Sequence, residues 1–428
     1  MINKFTELLS WKDDSAEEAE QWDPPIERRK ERVIQLIEDG FVSGAGRGPP
    51  KEFEDRFADY VGADYCLAVN HGATALASAY YAVGVGPGDE VITPTVGYLG
   101  SYAGAMHLGA RPVFCDIDPD TLLADPADAE QRITSRTKAI NIVHMNGKVC
   151  DMDTFRELSD EYDIPLVVDA SHAHGASWGD QKVGSVGDIA CFSIQGRVPI
   201  DKPVAGGEGG IVTTNDRELY ERQLSYCHLH RHGISDELTR PPYSSLDDEV
   251  LGRKWRTHPF ALALADVSLD SLDYRIKKRT EFRETLFSAL QDVPGIRPSS
   301  TYEKSNTSGL VWGLKLVYEP DELDGYPIES YVQDLREELV PVEVGFQHLE
   351  HQRYLFQNGY DIWGEDRGPL GGEFCGLPPF EPYEADDFPV ATEMNERVIT
   401  VPSFIEPRDG LLDRYMRAFS DVSRNAGS

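Results

Sequence analysis

Three short stretches carry residue types that could do chemistry together. In residues 196–210, GRVPIDKPVAGGEGG, Lys202 lies between two prolines and runs on into glycines 206, 207, 209 and 210. Proline fixes φ and removes a donor, so this lysine sits on an irregular, locally rigid segment rather than on a helix face. The glycines let backbone turn tightly or approach a ligand closely. An amine held in this way is a candidate nucleophile and proton carrier; the alternative is a solvated surface charge. Asp169 ends the apolar run 166–168. A carboxylate there is partly desolvated and calls for a cationic partner, although aspartate is equally a helix N-cap ahead of 170–173. Residues 70–76, NHGATAL, pass from an apolar run through a glycine into a helix-like segment. Unpaired backbone N–H groups and the helix dipole make such a start a phosphate site, and the same pattern also occurs at ordinary strand–helix corners.

These residues need elements that bring them to one place. Apolar, β-rich runs at 67–70, 90–94, 111–116, 139–144, 166–169, 189–193 and 210–214 alternate with helix-like segments. Continuous apolar strands separated by helices imply an α/β fold with a mostly parallel sheet covered on both faces. Ligands of such sheets bind beyond the carboxyl ends of the strands, which is where Asn70, residues 94–98 and Asp169 fall. A charged helix beginning near 271 leaves this domain, and 309–317, GLVWGLKLV, reads as a strand of a smaller α+β domain. The expected organisation is therefore an N-terminal helical extension and link over 1–50, a large domain over 51–270 and a small C-terminal domain over 271–428. The acidic, Gly/Pro-rich stretch 364–388 reads as a surface loop. A phosphate cradle, a buried carboxylate and a positioned lysine on one sheet edge are the parts that hold pyridoxal 5'-phosphate.

Composition narrows the partners. The 428 residues carry 74 acidic against 41 basic side chains, a net charge of −33, and such a surface repels a nucleic-acid backbone. It also suits concentrated salt, where the Debye length falls to about 3 Å at 1 M; the bland alternative is a soluble acidic protein. The N-terminus has no apolar core of a signal peptide and no run of apolar residues is long enough for a membrane span, so a cytoplasmic protein is expected. Six scattered cysteines without a CxxC pair read as buried reduced thiols, and no metal is expected.

The ordered motifs 84–92 (GVGPGDEVI), 114–120 (FCDIDPD), 150–153 (CDMD), 169–175 (DASHAHG), 183–193 (VGSVGDIACFS) and 207–210 (GEGG) make the chain similar to the DegT/StrS-type sugar and cyclitol aminotransferases, a branch of the fold-type-I pyridoxal-phosphate enzymes. The resemblance implies that Lys202 is the Schiff-base lysine and that Asp169 partners the pyridinium nitrogen. It also implies that Tyr98 stacks on the cofactor ring and that Gly72, Ala73, Thr74, Ser193 and Gln195 lie in or beside the phosphate-binding segments. His172 stands where much of the family has glutamine, near the cofactor's ring oxygen. Residues 251–259, LGRKWRTHP, resemble the segment that reaches the neighbouring subunit's phosphate, which gives Lys254 a role in trans and implies a homodimer; Lys254 and Arg256 as two solvated surface cations are the alternative.

Two departures stand out. Ala73 occupies a position that is generally threonine in the family, so that side-chain contact to phosphate is either lost or passes to Thr74. About four extra residues within 196–201 precede Lys202, the one lysine between Ser193 and the glycines. The expected reaction is transfer of an amino group from glutamate or glutamine to a keto-sugar or keto-cyclitol. A deoxysugar dehydratase, which has histidine in place of the lysine, and a catalytically silent cofactor-binding relative are the competing readings. Residues 345–351, GFQHLEH, are a further candidate for contact with the acceptor.

Overall fold

The computed structural model describes residues 19–426, apart from 44–45, 198–201, 247–251, 311 and 347. Seven strands form the main sheet: β1 (Tyr65–Val69), β2 (Glu90–Pro94), β3 (Arg111–Cys115), β4 (Thr137–Val143), β5 (Leu166–Asp169), β6 (Ile189–Ser193) and β7 (Gly210–Thr214). Their order across the sheet is β1-β7-β6-β5-β4-β2-β3. β7 runs antiparallel to both its neighbours, and the pairs from β6 to β3 are parallel. The expected runs at 90–94, 166–169, 189–193 and 210–214 are therefore strands from end to end. Burial of β2, β5, β6 and β7 along their whole length explains why they read as unbroken apolar runs rather than as alternation.

Helix α1 (Gly72–Ala82) follows β1, and α2 (Gly100–His107) follows β2. Both are rich in alanine and glycine and short in side chain, so they pack closely beside each other and against the sheet. Helix α3 (Pro259–Asp270) leads directly into α4 (Leu272–Leu290), with Ser271 as the junction. The smaller sheet holds β8 (Ile296–Pro298), β9 (Leu314–Tyr318), β10 (Glu343–Val344) and β11 (Val398–Val401) in the antiparallel order β8-β9-β11-β10.

Three expectations change. Among the described residues of the run 309–317 only 314–317 are strand, and Trp312 precedes them at a turn in which Gly313 N donates to the Leu310 carbonyl (3.1 Å). The stretch 364–388 is largely exposed, as expected of a surface loop, but it is anchored to the main sheet. Leu370 and Leu377 are buried, and Arg111 at the start of β3 donates to the carbonyls of Pro369 (2.7 Å) and Pro378 (2.6 Å). Five cysteines are buried and free, as expected, whereas Cys375 is exposed.

Candidate active site

The carboxyl ends of β1, β5 and β6 meet where α1 begins. The first helical hydrogen bond of α1 runs from Ala75 N to His71 O (3.0 Å), so the amides of Gly72 and Ala73 precede the ladder at the positive end of the helix dipole, while the Thr74 amide belongs to a capping box with the His71 side chain. Ser193, the last residue of β6, is pressed against this turn: a Cβ on Gly72 would lie 2.7 Å from Ser193 Cβ, a contact that only glycine permits. Gln195 N donates to Ser193 Oγ (3.3 Å), while the Gln195 side chain is exposed. Thr74 does not take over the missing threonine hydroxyl at 73. Its Oγ1 accepts from His71 N (3.1 Å) and lies 2.8 Å from both Asn70 Oδ1 and the His71 carbonyl oxygen, which commits it to the turn itself.

Asp169 ends β5 and is buried. Its two oxygens are held separately: Ser101 Oγ donates to Oδ2 (2.7 Å) and Ser171 N donates to Oδ1 (3.1 Å). Two such bonds fix the carboxylate plane. Ser101, from the first turn of α2, gave no signal in the sequence, since nothing local tells a serine in an alanine-rich helix that it faces a carboxylate.

Lys202 is buried, with its Nζ 5.8 Å from the centre of the Trp312 ring. The His172 ring lies 5.7 Å from the same indole, so one aromatic side chain from the small-sheet region borders both. His172 Nδ1 accepts from Asn146 N (3.2 Å). Burial first, and then the Lys202 charge, hold His172 and His174 well below the ordinary histidine range. A neutral His172 whose Nδ1 is an acceptor carries its proton on Nε2. The extra residues ahead of the lysine fall largely at 198–201, outside the described residues.

Tyr98 is 65% exposed, with its ring beside Gly100, which also neighbours Ala73 at the start of α1. Of the stretch 345–351, residues 349–351 pack beside the end of β2. Leu349 bridges to Val96, Glu350 N donates to the Thr95 carbonyl (2.7 Å), and His351 Nδ1 meets Thr95 Oγ1 at 2.5 Å. Lys254 is not brought into this cleft: it is exposed, on a strip that flanks it through the bridges of Lys254 to His228 and Arg256 to Val69. Among the described residues no group of three His, Cys, Asp or Glu side chains is placed to hold a metal ion.

Residues 25–363 match the model of the DegT/DnrJ/EryC1/StrS aminotransferase family. The chain belongs to that family. It is 30% identical over 410 residues to the spore coat polysaccharide biosynthesis protein SpsC of Bacillus subtilis, covering 92% of this chain and 94% of the relative. Identity is also 30% over 411 residues to the L-glutamine:scyllo-inosose aminotransferase of Streptomyces griseus, with 92% and 93% covered. The fold is that of the aminotransferase from Psychrobacter cryohalolentis, with a TM-score of 0.80 at 24% identity over 96% of this chain and 99% of that one. Members of the family are pyridoxal-phosphate enzymes, and this one is an aminotransferase. The site's chemistry fits the cofactor: amides and a serine hydroxyl at a helix start suit a phosphate, an oriented buried carboxylate suits a ring N–H, and a lysine on the same strand-end edge suits an aldehyde.

Proposed function

We propose that the enzyme transfers an amino group from glutamate or glutamine to the carbonyl carbon of a keto-cyclitol or keto-sugar, with Lys202 as the covalent anchor and proton carrier. The observation that supports this most directly is the meeting of Lys202, His172 and the Trp312 ring beyond strands that end in Asp169 and Ser193. The name of the Streptomyces griseus relative supports glutamine as donor and a keto-cyclitol as acceptor.

When bound, pyridoxal phosphate supplies an electron sink and a carrier for the amine. The amides of Gly72 and Ala73 and Ser193 Oγ would hold the phosphate, His172 Nε2 would donate to the ring oxygen, and Tyr98 would cover the ring face. Asp169, kept oriented by Ser101 and Ser171, would keep the ring nitrogen protonated, and its burial makes such a pairing far stronger than in bulk solvent. Lys202 Nζ takes the proton from the donor's Cα and returns one to the acceptor carbon that receives the amine. Lys254 completes the phosphate site of a second subunit, and the working unit is a homodimer. Its exposure outside this cleft supports that reading, as the side chain points to solvent in a single chain.

The deciding experiment is the half-reaction. Purified holoenzyme mixed with glutamine or glutamate should convert to the pyridoxamine form, read by loss of visible absorbance, and Lys202→Ala should not. An unconverted wild type across many amino donors would favour a catalytically silent relative. Mixing inactive Lys202→Ala subunits with weak Lys254→Ala subunits should restore activity if Lys254 acts in trans; no recovery in confirmed mixed dimers would remove that role. The net charge of −33 supports a cytoplasm rich in salt, and a melting temperature that fails to rise between low and molar salt would count against it. Among the described residues no helix is long and apolar enough to cross a membrane.

A further inference from the structure

Arg275 in the first turn of α4 is 2% exposed, yet no carboxylate lies within ion-pair reach of it among the described residues. The nearby acids are engaged elsewhere: Asp270 with Arg28 and Arg56, Asp273 with the Tyr60 hydroxyl. Burying a guanidinium without a counter-ion costs several kcal/mol, so stability by itself would favour an apolar side chain there. Instead the guanidinium spends its donors on α3. Nη2 donates to the Ser268 carbonyl (2.7 Å) and to Ser268 Oγ (3.3 Å), and Nε donates to Ser271 Oγ (3.1 Å).

Ser268, 1% exposed, is the junction. Its Oγ also accepts from Ala205 N (3.2 Å) and donates to the Pro203 carbonyl (3.4 Å). A hydroxyl has one proton and two acceptor positions. With Ala205 N and Arg275 Nη2 on the acceptor side, the single proton is left for the carbonyl of the residue next to Lys202. The same loop is held on its other side, where Gly206 N donates to the Ile194 carbonyl (2.8 Å) and the Gly206 Cα packs so tightly on Ala261 that a Cβ would lie 2.2 Å from its carbonyl oxygen.

We propose that Arg275 is a positioning residue for Lys202: acting through Ser268, it clamps the backbone at Pro203 and Ala205 and so aims the lysine that follows the longer loop. The inference rests on the reading of Lys202 as the cofactor anchor.

The test uses the full-length protein stripped of cofactor and mixed with pyridoxal 5'-phosphate. Covalent capture is followed by the visible absorbance band and, after borohydride trapping, by mass at position 202. Ser268→Ala and Arg275→Met should each slow capture about ten-fold, as expected for one lost hydrogen bond of a charged group. The double variant should be no slower than the slower single one, because the two residues act in one chain, and Ser268→Thr, which keeps the hydroxyl, should capture at the wild-type rate. Capture at the wild-type rate in Ser268→Ala, or in a folded Arg275→Met whose melting temperature alone falls, would overturn the proposal, as would additive effects. If Arg275→Met does not fold, the Ser268 pair decides. Lys202→Ala separates the two readings: covalent capture that persists there removes Lys202 as anchor, whereas capture lost there with Ser268→Ala unaffected removes only the role of Arg275.

Discussion

Among the described residues two lysines, Lys148 and Lys202, are buried, and they stand in different surroundings. Lys148 is 3% exposed and Lys202 is 8% exposed. The Lys148 amine donates to the Thr121 carbonyl and to Ser299 Oγ (3.2 Å), joining the segment after β3 to the segment after β8. Burial, and then the Lys315 charge, push its pKa down to about 7. Lys202 instead lies beside an indole and two neutral histidines at the carboxyl ends of the parallel strands. What separates them is position: Lys148 is tied between two segments as a structural brace, while Lys202 is presented where an open sheet binds its ligands.

The largest effect is expected where that contrast is sharpest. Lys202→Ala should lower turnover by about 10³-fold or more, the scale of a lost proton carrier and covalent anchor, while Lys148→Met should leave turnover within about two-fold. Steady-state kinetics on both variants checks this, and equal losses would erase the distinction. Next in size, Asp169→Asn should lower kcat by about 10²-fold with a smaller change in KM, as expected when a charge opposite the developing transition state is removed. Ser101→Ala comes third. It frees one carboxylate oxygen of Asp169 and should lower kcat about ten-fold, the scale of about 1.5 kcal/mol at the low end for a hydrogen bond to a charged group.

The smallest effect on activity, and a specific one on stability, belongs to Lys148. Its folded pKa lies below the ordinary value of about 10.4, so between about pH 7 and 10 the unfolded chain binds more protons than the folded one. Stability contributed by this site therefore rises as pH climbs through that window. Denaturant unfolding of wild type and Lys148→Met at pH 6.5 and pH 9.5 should show the wild type gaining on the variant at the higher pH. A constant difference would mean that Lys148 titrates normally.

Much of the site was legible before any coordinates. Asp169 at the end of an apolar run, the glycine after Asn70 and the lysine between prolines are each local patterns with a physical reason. Boundaries of β2, β5, β6 and β7 were legible for the same cause, since strands buried along their whole length leave few polar interruptions. Other residues were not. Trp312 fell inside an apolar run that reads as strand, and only the left-handed backbone at Leu310 and at Gly313 turns it out of the strand. The Ser101 bond to Asp169, the Arg111 anchor on residues 369 and 378, and the Arg275–Ser268 junction pair residues that periodicity cannot relate.

From its sequence alone this protein is an α/β enzyme with strand ends bearing a carboxylate, a phosphate turn and a lysine, because strand runs, helix starts and turn residues are set by neighbours within a few positions. Tertiary structure decided which side chains surround that lysine and carboxylate. Trp312, Ser268 and Ser101 reach them from separate parts of the chain, and such contacts depend on how whole elements pack rather than on any local preference of the residues that make them.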